Sequence, residues 1–156
     1  MINAELEPLV RASLEKTLEM MFFTMPDEVS GNAERPEGDL IAVRLRFEGK
    51  PPGMLGLLVS ESLAQSLAAN FLGCEDDAAL PVEKVMAVIG ELANMICGAV
   101  LSKIKSDETF DLETPNPILV AAGEAAPDFA GGDQCACRFE FPEGAMTAFF
   151  LVQERV

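Results

Sequence analysis

The sequence contains no histidine, no tyrosine and no tryptophan. Without histidine there is no Ser-His or Cys-His nucleophile pair and no imidazole general base. Without Tyr and Trp the usual platforms for stacking bases or sugars are missing. Positive charge is also scarce. Lys and Arg together number 11 against 26 Asp and Glu, for a net charge of −15. Nucleic acid needs a basic footprint, so it is excluded as a partner. Anionic membrane surfaces are excluded on the same ground. No apolar run reaches the ~18–20 residues of a membrane span before a charge or an Asn breaks it. The first residues, Met1-Ile2-Asn3-Ala4-Glu5, hold no basic region of a secretory signal. The expectation is a cytoplasmic protein outside the membrane, with one domain over residues 1–156.

Cysteine is sparse and badly spaced for metal. Cys74, Cys97, Cys135 and Cys137 include no Cys-x-x-Cys pair, so no metal site is expected. Cys135 and Cys137 alternate along an expected strand and share one face, an awkward geometry for a disulfide. Buried, reduced thiols are the expectation for these cysteines.

What is present is apolar patterning: 49% of residues are hydrophobic. Leu6, Val10, Leu14, Leu18 and Met21 lie at helical spacing and predict a helix over 3–23, with Asn3 as its cap. A polar acidic loop is expected over 26–39. Ile41, Val43, Leu45 and Phe47 alternate with Ala42, Arg44 and Arg46, which predicts a half-buried strand. Turn residues at 49–53 and apolar residues at 54–59 complete a hairpin. Ser60 is placed to cap a helix over 61–72, with Gly73 as its C-terminal stop. Pro81 and Glu83 suit the start of a long helix running to about Lys105. A polar stretch over 106–116, a short strand at 118–122 and a loop to 133 precede a final hairpin, 136–141 with 146–152.

The two hairpins resemble each other, and each follows a long apolar helix at a distance. This pattern suggests duplicated helix-plus-strands units in an α+β fold, with an antiparallel sheet and two long helices. Setting Val10 against Val85 places Lys16 on Glu91 and Glu19 on Asn94. On that alignment only the second helix carries a Glu/Asn pair.

That pair lies in Glu91-Leu92-Ala93-Asn94-Met95-Ile96-Cys97-Gly98. At 100° per residue, Val85, Ile89, Leu92, Ile96 and Val100 form one stripe about 100–180° from Glu91. Ala87, Asn94, Gly98 and Ser102 fall within about 60° of Glu91. This face is flat, polar at its centre and free of bulky apolar residues. Asn is a poor mid-helix residue because its side chain competes for backbone hydrogen bonds. Gly98 costs a helix interior roughly 1 kcal/mol relative to Ala. Two explanations of the flat face stand at this point: a neighbouring helix packed within the chain, or room for a docking partner.

Gly90-Glu91-Leu92-Ala93-Asn94 with Gly98 resembles the signature helix of the CheX/CheC/FliY chemotaxis phosphatases, which carry Glu-x-x-Asn or Asp-x-x-x-Asn patterns. Met20-Met21-Phe22, Thr114-Pro115-Asn116-Pro117 and the glycine-started last strand extend the resemblance over most of the chain. A single pair is closer to CheX than to CheC. The resemblance implies hydrolysis of the aspartyl phosphate on a CheY-like response regulator. It makes Glu91 and Asn94 the functional pair and Ala87, Gly98 and Ser102 the docking face. The carboxamide of Asn94 can donate to and accept from a water in line with phosphorus. The carboxylate of Glu91 suits a salt bridge to a receiver lysine. On this reading Mg2+ comes with the phosphorylated receiver and the chain holds no cofactor of its own. The family implies a homodimer formed through the sheet, for which an exposed edge strand gives the opening. Receivers are often acidic, so moderate salt should speed encounter unless local ion pairs dominate. The alternative is a non-catalytic binding module related to the middle domain of FliM.

Overall fold

The structure, a computed structural model, describes residues 3–74, 79–104, 109–127, 129 and 133–153. Helix α1 spans Asn3–Phe22 and is followed by strands β1 (Glu28–Ser30), β2 (Leu40–Glu48) and β3 (Gly53–Ser60). Helices α2 (Glu61–Leu72) and α3 (Val82–Ile104) come next. Strands β4 (Asp111–Leu112), β5 (Asn116–Val120), β6 (Asp133–Phe141) and β7 (Gly144–Val152) complete the order. The mixed α+β class and the antiparallel sheet match the expectation.

The sheet runs β1-β6-β7-β3-β2-β4, with β5 also on the outer edge of β2. Its centre is β3 against β7, so the two hairpins meet through their second strands. The flanking strands are exchanged: β1 pairs with β6, and β5 pairs with β2. This arrangement has an approximate two-fold character, as a duplicated unit requires.

All three helices cover one face of the sheet. Ile41, Val43, Leu45 and Phe47 of β2 join Leu55, Leu57, Met146 and Phe150 in the core beneath them. In α1 the buried stripe is Leu6, Val10, Leu14, Leu18 and Phe22, a strict four-residue repeat. Met21, expected in that stripe, is exposed, and Phe22 takes its place by stacking on Phe71 at 5.0 Å between ring centres. A four-residue step turns only ~40° from a full circle, so it selects Phe22 once Leu18 is fixed.

β2 is more buried than alternation alone predicts. Leu40 and Ala42 are covered on the face away from the helices, where they pack with Leu58, Val120, Phe129 and Phe149. Phe129, from the connection between β5 and β6, lies against Gly56, where a Cβ would sit 2.7 Å from its ring. Arg44, Arg46 and Glu48, beyond this cover, remain exposed.

Some boundaries differ from the sequence reading. The acidic loop contains β1, and the polar stretch after α3 contains β4. β5 begins at Asn116, earlier than expected. The Asn3 side chain lies outside the described residues. Ser60 makes no side-chain cap to α2; its hydroxyl accepts the Ala145 N–H at 3.1 Å. Gly73 ends α2 in the left-handed conformation, φ 70°, as a C-terminal glycine should. Cys97, Cys135 and Cys137 are buried and free, whereas Cys74 is free but exposed, so it departs from the buried expectation.

The long central helix is the most apolar element. α3 is long and apolar enough, by length and composition, to cross a membrane, with mean hydropathy 1.8 in its best window. In this fold its apolar side is buried in the core, and Glu91 and Asn94 face outward.

Candidate functional site

Ala87, Glu91, Asn94, Gly98 and Ser102 are all exposed on one side of α3. The opposite side buries Val85, Ile89, Leu92, Ile96 and Val100. The amphipathic pattern alone sets this orientation, because the buried stripe leaves the flat face pointing outward. Glu91 and Asn94 are one turn apart, with Cβ atoms ~5–6 Å from each other. Among the described residues neither side chain has a hydrogen bond or an ion pair.

Gly98 decides between the two explanations of the flat face. A Cβ built on it meets nothing within 4 Å. No part of the described chain packs there, so internal helix packing does not explain the glycine. Gly90 differs: it is buried, and its Cβ would reach Pro115 at 3.6 Å. It admits the Pro115-Asn116-Pro117 entry to β5.

An open groove of about 490 Å³ runs between α1 and α3. Asn94, Gly98 and Ser102 line it, but Glu91 and Ala87 do not; they lie beyond its end on the same helical face. The α1 side adds Ser13, Lys16, Thr17, Met20 and Met21. Of this wall, the sequence points to Lys16 through the helix alignment and to Met20 and Met21 through the resemblance, but not to Ser13 or Thr17. Lys103 Nζ donates to Ser13 Oγ at 3.4 Å, and Thr17 Oγ1 donates to the Ser13 carbonyl at 2.8 Å. The Ser102 hydroxyl donates to the Ala99 carbonyl of its own helix at 2.9 Å. The groove lining therefore carries two lysines and no carboxylate.

The groove also corrects the helix alignment. The α1 residues Ser13, Lys16, Thr17, Met20 and Met21 match Met95, Gly98, Ala99, Ser102 and Lys103 at a constant offset of 82 (for the first pair, 95 − 13 = 82). The sequence alignment used 75 (85 − 10 = 75). The two differ by seven residues, about two helical turns, so the apolar stripe stays in phase in either case. Leu9 and Ala12, not Lys16 and Glu19, are the counterparts of Glu91 and Asn94. The first helix still has no Glu/Asn pair.

The three buried thiols are held protonated. Burial pushes Cys97 up to about 12 and Cys137 up to about 12. Cys135 is pushed up to about 11, also mainly by burial. Among the described residues no cluster of three or more potential metal ligands occurs.

A family model described as chemotaxis phosphatase CheX matches residues 41–139, which include the whole of α3. The chain belongs to the CheX family. Solved structures with the same fold include CheX from Vibrio vulnificus, 23% identical with a TM-score of 0.76, covering 98% of this chain and 99% of that one. A CheX–CheY–BeF3–Mg2+ complex from Borrelia burgdorferi aligns at 17% identity and TM-score 0.75, over 96% of this chain and 98% of the matched chain. FliY from Thermotoga maritima aligns at 14% identity and TM-score 0.63, over 96% of this chain and 89% of that one. No curated protein matches the sequence. The family is one of chemotaxis phosphatases, and the CheX-like α+β fold extends over nearly all of the chain.

Proposed function

We propose that this CheX-family chain hydrolyses the aspartyl phosphate of a CheY-like receiver. The observation that carries the reading is the shared exposure of Glu91 and Asn94 on a face that nothing else in the described chain covers. Phosphoryl transfer requires positioning and charge stabilisation more than a strong base. Asn94 holds a water in line with phosphorus through its carboxamide. Water forms the new P–O bond as the bond to the aspartate oxygen breaks, releasing phosphate and a free carboxylate. Glu91 pairs with a receiver lysine and fixes the docking register. The receiver brings the phosphorylated aspartate and Mg2+. The similarity to a CheX solved in complex with CheY supports this choice of partner.

The same reading makes the protein a homodimer joined at a sheet edge. On the edge strand β5, Ile118 and Leu119 are large apolar residues left exposed, Leu119 at 51%. Such an edge is open to pairing with a second chain.

The test is receiver dephosphorylation with wild type and with Asn94→Ala. The variant should keep the wild-type circular dichroism spectrum and lose the acceleration, leaving the receiver's spontaneous rate. A fully active Asn94→Ala protein sinks the proposal and favours a non-catalytic binding module.

A further inference from the structure

α1 ends in an unusual way. Phe22 is buried, but the next residue, Phe23, is 73% exposed and adopts a left-handed backbone, φ 55°. The Thr24 N–H reaches back six residues to the Leu18 carbonyl at 3.3 Å, and Phe23 is the first residue past the end of α1. This is the position where glycine normally sits, because a Cβ is disfavoured there. A bulky aromatic held in that conformation is an outlier. Nothing inside the fold repays it, since the ring points to solvent.

Its surroundings are apolar and exposed as well. Met20 is 62% exposed, and Met21 and Met25 are also exposed. Met20 and Met21 line the same groove as Asn94. Lys103 lies beside Ser13, and the approximate two-fold makes α1 and α3 antiparallel. Seven residues along α1 from Ser13, about 10 Å, therefore bring Met20 level with Met95 or Ile96. Phe23 lies one turn further, near the level of Glu91 and Asn94. Lys16 and Lys103 occupy the middle and far end of the groove.

We propose that Phe23, with Met20 and Met21, is the apolar anchor that docks the phosphorylated receiver beside Asn94, and that Lys16 and Lys103 pair with carboxylates on the receiver. The proposal rests on the phosphatase reading and names the part of the surface that selects the partner. Charge complementarity argues for this occupant. The groove lining presents two lysines and no carboxylate and runs up to Asn94, so a receiver seated over Asn94 lays its surface on both lysines and on Met20 and Met21. An acidic receiver has carboxylates to place there. Aromatic residues and methionine are enriched at interface cores, and the flexible thioether of methionine adapts to a partner's shape.

The experiment is titration of full-length protein against a receiver charged with beryllofluoride and Mg2+, at fixed salt. Phe23→Gly removes the ring and suits the left-handed position, so its thermal midpoint should not fall. Its Kd should rise tenfold or more. The double variant Lys16→Glu/Lys103→Glu should also bind more weakly, and its affinity should improve with salt more than that of wild type. A Phe23→Gly protein that binds like wild type overturns the inference. So does one whose only change is a shift from dimer to monomer in sedimentation, which would give the patch to a second copy. Asn94→Ala separates the two claims. If it binds the charged receiver normally but does not hydrolyse the phosphate, the phosphatase reading stands whatever Phe23→Gly does. If it hydrolyses at the wild-type rate, that reading falls, while the Kd of Phe23→Gly still reports on the anchor.

Discussion

Gly98 offers a test in which stability and activity should move in opposite directions. It sits inside α3, exposed, with empty space where its Cβ would be. Replacing Gly by Ala in an exposed helix interior gains about 0.8–1.0 kcal/mol, because the unfolded chain has less freedom to lose. No steric term offsets this gain, since no neighbour lies within 4 Å. For a chain of this size, 1 kcal/mol raises the melting temperature by about 2–4 °C. Gly98→Ala should therefore melt a few degrees higher. If the face receives a partner's backbone, the methyl group must hinder it, and Gly98→Leu must hinder it more. Receiver dephosphorylation should fall several-fold in the first variant and more than tenfold in the second. Thermal melts followed by circular dichroism, with phosphate release on the same samples, read both quantities. A lower melting temperature for Gly98→Ala would show that the glycine packs against something after all. A higher one, with full activity retained in Gly98→Leu, would remove the docking face.

Three further outcomes follow from the geometry. Glu91→Lys should leave the melting temperature within about 2 °C, since surface substitutions usually change stability by less than about 0.5 kcal/mol. It should nevertheless raise KM for the receiver at least tenfold, and an unchanged KM would refute the lysine contact. Leu119→Lys should shift sedimentation from dimer to monomer, because a charge on the edge strand opposes edge-to-edge pairing; a dimer that survives the change is joined elsewhere. The three buried thiols have folded pKa values raised above their ordinary value of 9.0. The folded state then holds protons that the unfolded state releases. Stability is fully present below about pH 9 and falls as pH rises toward 11–12, by up to roughly 1.4 kcal/mol per thiol per pH unit. Urea midpoints at pH 8 and pH 10.5 measure the fall, and equal midpoints would contradict it.

Much of this architecture was legible because the apolar period changes cleanly along the chain. Ile41 to Phe47 alternate, Val85 to Val100 repeat at helical spacing, and Gly73 marks a stop. These local signals survive folding because the core uses them directly. β1 and β4 were not legible. Each is two or three residues long and gains its hydrogen bonds from a strand far away in sequence, β6 or β2. Nothing local requires them. Burial of Leu40 and Ala42 was hidden for the same reason, since their cover is Phe129, some ninety residues later. The site followed a similar division. The angular position of Glu91 and Asn94 on α3 was readable, and their exposure follows from the stripe opposite. The α1 wall was not, because the groove exists only where two helices meet.

The duplicated helices show how a correct pattern can carry an incorrect register. Apolar stripes recur every seven residues, so an alignment offset by 75 and one offset by 82 bury the same faces. Only a feature without that period can distinguish them, and here it is the groove that both helices line. Once Lys16 is set against Gly98, the asymmetry of the groove acquires a physical meaning. At equivalent points one wall carries a long cationic side chain and the other no side chain at all. A partner backbone can approach α3 closely but not α1, while its carboxylates can reach toward α1. At the positions matching Glu91 and Asn94, α1 has Leu9, which packs partly against the core, and Ala12. A carboxylate at Leu9 would have to give up that packing and its hydration together. The two-fold therefore builds a groove with two similar walls, while core packing leaves only one of them free to carry polar chemistry.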